Sequence, residues 1–503
     1  VSDGGAWRER PPARHSDRVP LVIAAIALVL GSLAAIHYSR AGLALAHYDA
    51  RAHLVVARRI FDSLTPGWQQ VGAVWLPLPH LLNMIPVQVD ALYRTGASAI
   101  AISVLSLTTA VWALSAAIRS TTGSTSGAIA ASALLLLNPN VLYLQSTSMT
   151  EPLLFATVLL SILFTARWAA TDIEHWPTAG GLALAAACLT RYESWPIAGA
   201  LIGLLVLTLI RGGTPVARCV RAGARLAAYP TIAILLFLVN SRWTVGSWFV
   251  SSGFFVPENI DALGHPGVAW DQLREGLYKL SGTALVWSGY AGAILIAIAW
   301  LRSRTRAPIA LFLALAAAAA LPIGAYVRGH PFRVRYDVPL IAACATLAGA
   351  GIGLLLPRLQ PFAAATVVVA ALMQSHPLDR RAPLIVESQR DAANRVGREA
   401  VTSYLVQHCD GRTIMMSMGS LGHYMHDLSA RGFRIRDFLH EGNGDIWNFA
   451  MTDPKVVVGW IAIEEKAEGG DALYLEAKRH PAFLDGFIRV AEGGGVALYQ
   501  RQP

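Results

Sequence analysis

His47-Tyr48-Asp49-Ala50-Arg51-Ala52-His53 sets one carboxylate, two imidazoles and a guanidinium side by side, directly after the first long apolar run. A carboxylate held partly out of water gains basicity, because burial disfavours its charged form. Asp49 is therefore suited to accept a proton as a general base. Charges this close to a bilayer are costly unless they are paired or used. Asp49 and His53 stand four apart and share a face of any helix formed here. His47, His53 and His80 show no tight ligand spacing, so the sequence supports no metal, and hydrogen bonding is the simpler reading of these rings.

A second acid, Glu151, opens the apolar run 151–168 within Ser148-Met149-Thr150-Glu151-Pro152. An acid there also suits a helix N-terminus, with Pro152 in the first turn, so capping competes with chemistry. Arg191-Tyr192-Glu193 separates two further apolar runs, and Arg328, Arg333 and Arg335 with Tyr336 precede another. Guanidiniums can hold a phosphate through paired hydrogen bonds. Arg58, Arg59, Arg191, Arg333 and Arg335 are the expected phosphate ligands, and His53, Trp75, His80, Tyr192, Glu193 and Tyr336 the expected substrate-binding set. Trp68, Trp195, Trp243 and Trp248 are explained as aromatic anchors at headgroup depth. Asp62 lies on the far side of the first charged segment, and its change to Asn is expected to do little to turnover.

These groups must be held by membrane helices. Of the 503 residues 54% are hydrophobic and only 15% are charged, against roughly a quarter charged in soluble proteins. The deficit lies in residues 19–375, while 376–503 has an ordinary soluble composition. Apolar runs near 19–38, 97–118, 125–143, 151–168, 178–191, 194–211, 225–244, 283–301, 307–327, 336–357 and 360–375 predict eleven spans. With a cytoplasmic N-terminal tail (1–18, carrying Trp7-Arg8-Glu9-Arg10, Arg14 and Arg18), every inside loop is basic: Arg119; Arg167; Arg211, Arg218, Arg221 and Arg225; Arg302, Arg304 and Arg306; Arg358. An odd count then puts loops 39–96 and 245–282 and the C-terminal domain outside. The placement reads as a multi-pass protein of the plasma (inner) membrane.

Loop 39–96 is expected to carry two interfacial helices. One is amphipathic over 50–64 and is broken by Thr65-Pro66-Gly67; the other begins at Trp75. Residues 376–503 read as a small α/β domain. The expected elements are helix over 388–408, strands at Thr413–Met418 and Lys455–Ile463, a helix at Asp471–Arg479, and a hairpin of Phe487–Ala491 and Val496–Gln500. No phosphate-binding glycine motif is present. The net charge of +9 comes from Arg in short loops, which topology and lipid explain without nucleic acid. Cys188, Cys219, Cys344 and Cys409 form no CxxC pair, so neither zinc nor a disulfide framework is indicated.

An acid just after the first span, helices in the first outer loop, a second outer-face acid and a C-terminal outer domain resemble the GT-C membrane glycosyltransferases. The nearest branch is the protein O-mannosyltransferase and lipid A aminoarabinose transferase group. The likeness is carried by Tyr48-Asp49-Ala50-Arg51-Ala52-His53-Leu54, Asp62-Ser63-Leu64-Thr65-Pro66-Gly67 and Trp75-Leu76-Pro77-Leu78-Pro79-His80. It implies a polyprenyl-phosphate-linked sugar as donor, a lipid, glycan or protein acceptor offering a hydroxyl or amine, Asp49 as base and Glu151 as the second catalytic acid. Many relatives carry another acid beside the first; here it is Ala50, which weakens a divalent-metal proposal. The Trp-Trp-Asp-Tyr signature of oligosaccharyltransferases is absent. A lipid-glycan transporter or flippase would show internal repeats and charges at mid-depth, and none is visible. A non-catalytic assembly subunit would tolerate loss of Asp49.

Overall fold

The computed structural model describes residues 17–250, 259–302, 304–466 and 469–503. Trp7-Arg8-Glu9-Arg10 and Arg14, and the side chains of Arg304 and Arg306, lie outside the described residues, as do positions 251–258 of the expected outer loop. All eleven apolar runs form helices. Eight are long and apolar enough to cross a membrane: Val19–Arg40, Ala97–Thr122, Glu151–Thr171, Ser194–Arg211, Val216–Val245, Pro266–Arg302, Pro308–Val327 and Val334–Leu354. Thr125–Leu136, Thr178–Cys188 and Gln360–Gln374 are shorter. Among the described residues eight of the eleven expected runs thus have the length of a full crossing, and three are shorter apolar helices. Thr125–Leu136 stops because Asn138 and Pro139 start a new helix, Pro139–Leu144. The Asn138 side chain accepts from the backbone N–H of Asn140 at 2.9 Å, and twelve residues reach only about 18 Å, well short of the bilayer core.

Val334–Leu354 is the central helix, buried almost throughout. Small residues let its neighbours approach. A Cβ on Gly292 would come within 2.0 Å of the Leu347 carbonyl oxygen, so backbone meets backbone where a larger side chain could not fit. Pro266–Arg302 is interrupted at Gly282, whose φ of 73° lies in the left-handed region. The Gln374 side chain accepts the freed N–H of Ala284 at 2.9 Å. The apolar run expected from residue 283 therefore begins at a real break.

The two ends of the bundle differ in character. At one end, Arg119 donates to Asp17 (2.7 Å), Arg211 to the Trp300 carbonyl (2.6 Å) and Arg225 to the Ile173 carbonyl (3.1 Å). At the other end sit the segment after the first helix, the Arg191 turn, the Arg335 turn and the C-terminal domain. Exposed Trp68, Trp243 and Trp248 also lie toward this end, and the Trp68 indole N–H donates to Asn240 at 2.7 Å.

The C-terminal domain holds a five-stranded sheet: β1 (Ile414–Met416), β2 (Phe438–Leu439), β3 (Trp460–Glu464), β4 (Phe487–Gly493) and β5 (Val496–Arg501), in the order β2-β1-β3-β5-β4. The first three strands are parallel, with Met415 opposite Leu439 and Ile461. β5 runs antiparallel to β3 and forms the expected hairpin with β4 through Gly494 and Gly495, both at positive φ. β2 escapes a reading by pattern because it spans two residues. Pro454 turns the start of the expected strand at 455 into a helical turn, Pro454–Val457. The helical stretch expected over 388–408 is three short helices, Pro383–Ser388, Ala392–Gly397 and Glu399–His408.

The segment expected to lie in the interface is instead enclosed. The helix Tyr48–Arg58 is sandwiched between bundle and sheet domain. Ala50 packs into the bundle core, while Leu54, Val55 and Ala57 pack with Leu421, Tyr424 and Leu428 of the helix Met418–Ser429. Its apolar face is thus covered by protein rather than lipid. The second expected helix is short, Leu78–Asn83.

Polar contacts close the seam. Arg51, 1% exposed, donates to Asp391 at 2.8 Å and to Asp427. Asp62 accepts from Arg58 at 3.1 Å and from the backbone N–H groups of Ile435 (3.4 Å) and Arg436 (3.3 Å). Asn443 donates to Ser63 (3.1 Å) and Thr65 (3.0 Å). Asp62 is therefore a structural joint. Asp62→Ala leaves Arg58 with Asp90 alone and takes the acceptor from the buried Ile435 N–H and the part-buried Arg436 N–H, and should lower stability by roughly 2 kcal/mol. Thermal unfolding, with protease access to residues 376–503, measures this; an unchanged midpoint and unchanged access refute the joint.

Candidate functional site

Asp49 is the second residue of the helix Tyr48–Arg58. His47 precedes that helix with extended backbone, and its Nδ1 accepts the Asp49 N–H at 3.1 Å. This cap fixes where the helix starts, and hence where the Asp49 side chain points. The carboxylate meets Arg335 on the turn Val334–Asp337, and the two form a buried ion pair. Arg335 also approaches Glu151, with Nε at 3.9 Å from Oε1. Arg191 continues the chain, donating to Glu151 at 2.9 Å and to Glu193 at 2.6 Å. One alternating string of charge, Asp49–Arg335–Glu151–Arg191–Glu193, thereby joins four separate stretches of sequence.

The string is buried: Asp49 is 8%, Glu151 0% and Glu193 3% exposed. Burial by itself would raise the Asp49 carboxyl, but the Arg335 cation overcomes this and holds it well below the usual carboxylate range. Asp49 is thus ionised at neutral pH, and in place of the gain in basicity expected from burial it is a weaker base while Arg335 holds it. Several polar atoms of the same cluster have no hydrogen-bond partner among the described residues: Oε2 of Glu151, Nε of Arg335, Nε2 of His47 and Oε2 of Glu387. Buried polar groups left in this state are expected to be met by water or a ligand.

Beside Asp49 lies an aromatic group. His53 Nδ1 is 3.0 Å from His80 Nε2, and the Trp75 ring stacks on His53 with centroids 4.0 Å apart. Burial and the neighbouring cations push both imidazoles down, His80 to about 3, so the pair is neutral. Tyr192 donates to the Val74 carbonyl at 3.0 Å and packs edge-on against Trp195 and Phe249. Arg333 donates to the Tyr48 hydroxyl at 3.2 Å, and Tyr336 stands edge-on to His330.

The structure does not bring all five expected arginines together. Arg58 is at the far end of its helix, about 13 Å from Asp49 by helical rise, and is held by Asp62 and Asp90. Arg59 donates to the Gln70 carbonyl at 2.7 Å and has no carboxylate within ion-pair distance among the described residues. Burial lowers it to about 10, and its charge is felt at His80. Arg191, Arg333 and Arg335 do converge. Sequence reasoning missed Tyr48 and Glu387. Glu387 comes from the C-terminal part, and nothing in its local pattern ties it to His47 3.9 Å away. The described residues contain no group of three or more metal-ligating side chains close enough to hold an ion.

His423, near Asp391 (3.6 Å), is also pushed down to about 3, by burial and by Arg51 and Arg398. His80 and His423 stay neutral in the folded chain but take up a proton near pH 6.5 when unfolded. In that window the unfolded state binds more protons. Stability is full above about pH 6.5 and falls as pH drops toward about 3. Thermal unfolding in detergent across pH 7.5 to 4 should show this loss. A His80→Asn, His423→Asn double variant should show a shallower slope, and an identical slope would refute the assignment.

No protein-family model matches the chain, and no curated protein matches it by sequence. Solved structures do. The crystal structures of ArnT from Cupriavidus metallidurans, one bound to undecaprenyl phosphate and one in the apo state, each align with a TM-score of 0.58 at 15% identity. Each alignment covers 95% of this chain and 97% of that chain. The likeness runs through the helical bundle and the small sheet domain alike. In fold, this chain is a polytopic helical membrane protein built like ArnT.

Proposed function

We propose that this chain is an inverting glycosyltransferase. It moves a sugar from a polyprenyl-phosphate donor to an acceptor hydroxyl or amine on the outer face of the plasma (inner) membrane. The observation that carries the reading is the buried Asp49–Arg335–Glu151 cluster at one end of an ArnT-like bundle. That neighbour was solved with undecaprenyl phosphate, the class of lipid carrier such a donor contains.

The acceptor attacks the anomeric carbon from one side while the lipid phosphate leaves from the other, so one displacement inverts the centre. Asp49 takes the acceptor proton as the new bond forms. The leaving phosphate gains charge, which cations placed in advance can stabilise. Arg335 is the natural donor, with Arg191 and Arg333 beside it. A phosphate drawing on Arg335 weakens its hold on Asp49, and Asp49 becomes a better base when the donor is bound. His53, Trp75, His80, Tyr192, Glu193 and Tyr336 line the approach to the sugar. Glu151 keeps Arg335 and Arg191 in register.

Purified protein in nanodiscs is given undecaprenyl phosphate carrying arabinose, mannose or glucose, with release of undecaprenyl phosphate as the readout. Asp49→Asn should lower turnover roughly a hundredfold or more with donor binding largely kept. Arg335→Ala should weaken both by roughly ten- to a thousandfold. Normal turnover by Asp49→Asn would remove the base from this scheme. For orientation, a single cysteine placed in residues 376–503 should react with an impermeant maleimide added outside intact cells. Labelling only after the cells are opened would reverse the topology.

A further inference from the structure

Glu387 is 3% exposed and belongs to the helix Pro383–Ser388, more than three hundred residues after Asp49. The helix is pinned to the bundle. Leu384 and Ile385 are buried in its core, and the Leu384 N–H donates to the Asn140 side chain at 3.2 Å. Packing thus fixes the Glu387 carboxylate, and it faces His47 with Oε1 3.9 Å from Nε2.

His47 has two jobs set by one proton. Its Nδ1 accepts the Asp49 N–H, and only an unprotonated ring nitrogen can accept. In the neutral ring the proton therefore sits on Nε2, the nitrogen turned toward Glu387. Among the described residues that nitrogen and Oε2 of Glu387 are both buried without a hydrogen-bond partner, so the 3.9 Å approach of the two groups is an electrostatic contact. Burial would raise the Glu387 carboxyl, yet His47 and Arg335 hold it below its usual range, so it is an anion facing both. A carboxylate behind an imidazole selects the tautomer and orients the ring.

We propose that Glu387 is a positioning residue for Asp49: through His47 it fixes the first turn of the helix Tyr48–Arg58 and so the direction of the base. The inference rests on the glycosyl-transfer reading for its effect on rate, but not for its effect on the helix. The C-terminal part then contributes to the site as well as covering it.

The test is a double-mutant cycle. Asn at position 47 keeps a capping acceptor but has no ring proton to offer Glu387. In nanodiscs with the same three undecaprenyl-phosphate sugars, Glu387→Gln should lower kcat about tenfold with little change in KM for the donor, and the thermal midpoint should hold. In the His47→Asn background the same change should have no further effect. Amide deuterium exchange over residues 48–52 should speed up in Glu387→Gln and not in the double variant relative to His47→Asn. Equal losses of kcat in both backgrounds, or unchanged exchange in Glu387→Gln, would overturn the proposal. The exchange measurement needs no substrate. If none of the three donors supports transfer by the unaltered protein, the glycosyl-transfer reading fails while exchange still decides the role of Glu387.

Discussion

A guanidinium cannot be sealed inside a protein at the edge of a bilayer without acids to answer it. Removing one partner from a buried pair typically costs 3–5 kcal/mol, because the other charge is left stranded. Arg335 is such a group, and its demands organise this end of the molecule. Asp49 reaches it from the first loop and Glu151 from the start of a spanning helix. Glu151 in turn satisfies Arg191, which satisfies Glu193. Each acid has a reason to be buried only because the next cation is there. Groups fixed in this way need little rearrangement when charge develops nearby, which is the condition for electrostatic catalysis.

The sheet domain makes the low-dielectric setting possible. Without it the helix Tyr48–Arg58 would face water along Leu54 and Val55, and Asp49 would be solvated. Arg51 spans the gap by binding Asp391 and Asp427, and Asp391 is shared with Arg398 at 2.7 Å. The same helix therefore faces two ways. Asp49 and His53 serve the bundle side, and Arg51 and Val55 serve the domain side. A helical repeat of 3.6 residues is what divides the two sets.

The membrane part was largely readable from the sequence, because apolar runs bounded by Arg are a strong signal; all eleven became helices. Length was the weak point, since Asn138-Pro139 and the Arg191 turn cut two runs short. Asp49, Glu151, Arg191 and Arg335 could be nominated because each is a charge where charge is expensive. Their mutual distances could not be foreseen, as they depend on how four helix ends meet. The first loop misled. Leu54, Val55 and Ile60 against Arg51, Arg58 and Asp62 is an amphipathic pattern, but amphipathicity does not say whether lipid or protein covers the apolar side. Glu387 and Asp62 were invisible as site or seam residues for the same reason: their partners are hundreds of residues away.

That distance has a consequence for synthesis. Arg51 and Asp391 are separated by 340 positions in the chain. At about 5–20 residues per second, the ribosome needs roughly 20–70 seconds to supply the acid after the arginine has emerged. For that interval the helix Tyr48–Arg58 has lost its ribosomal shelter and has not met the domain that will cover it. Its amphipathic character is then useful, because resting on the headgroups shields Leu54 and Val55 until docking.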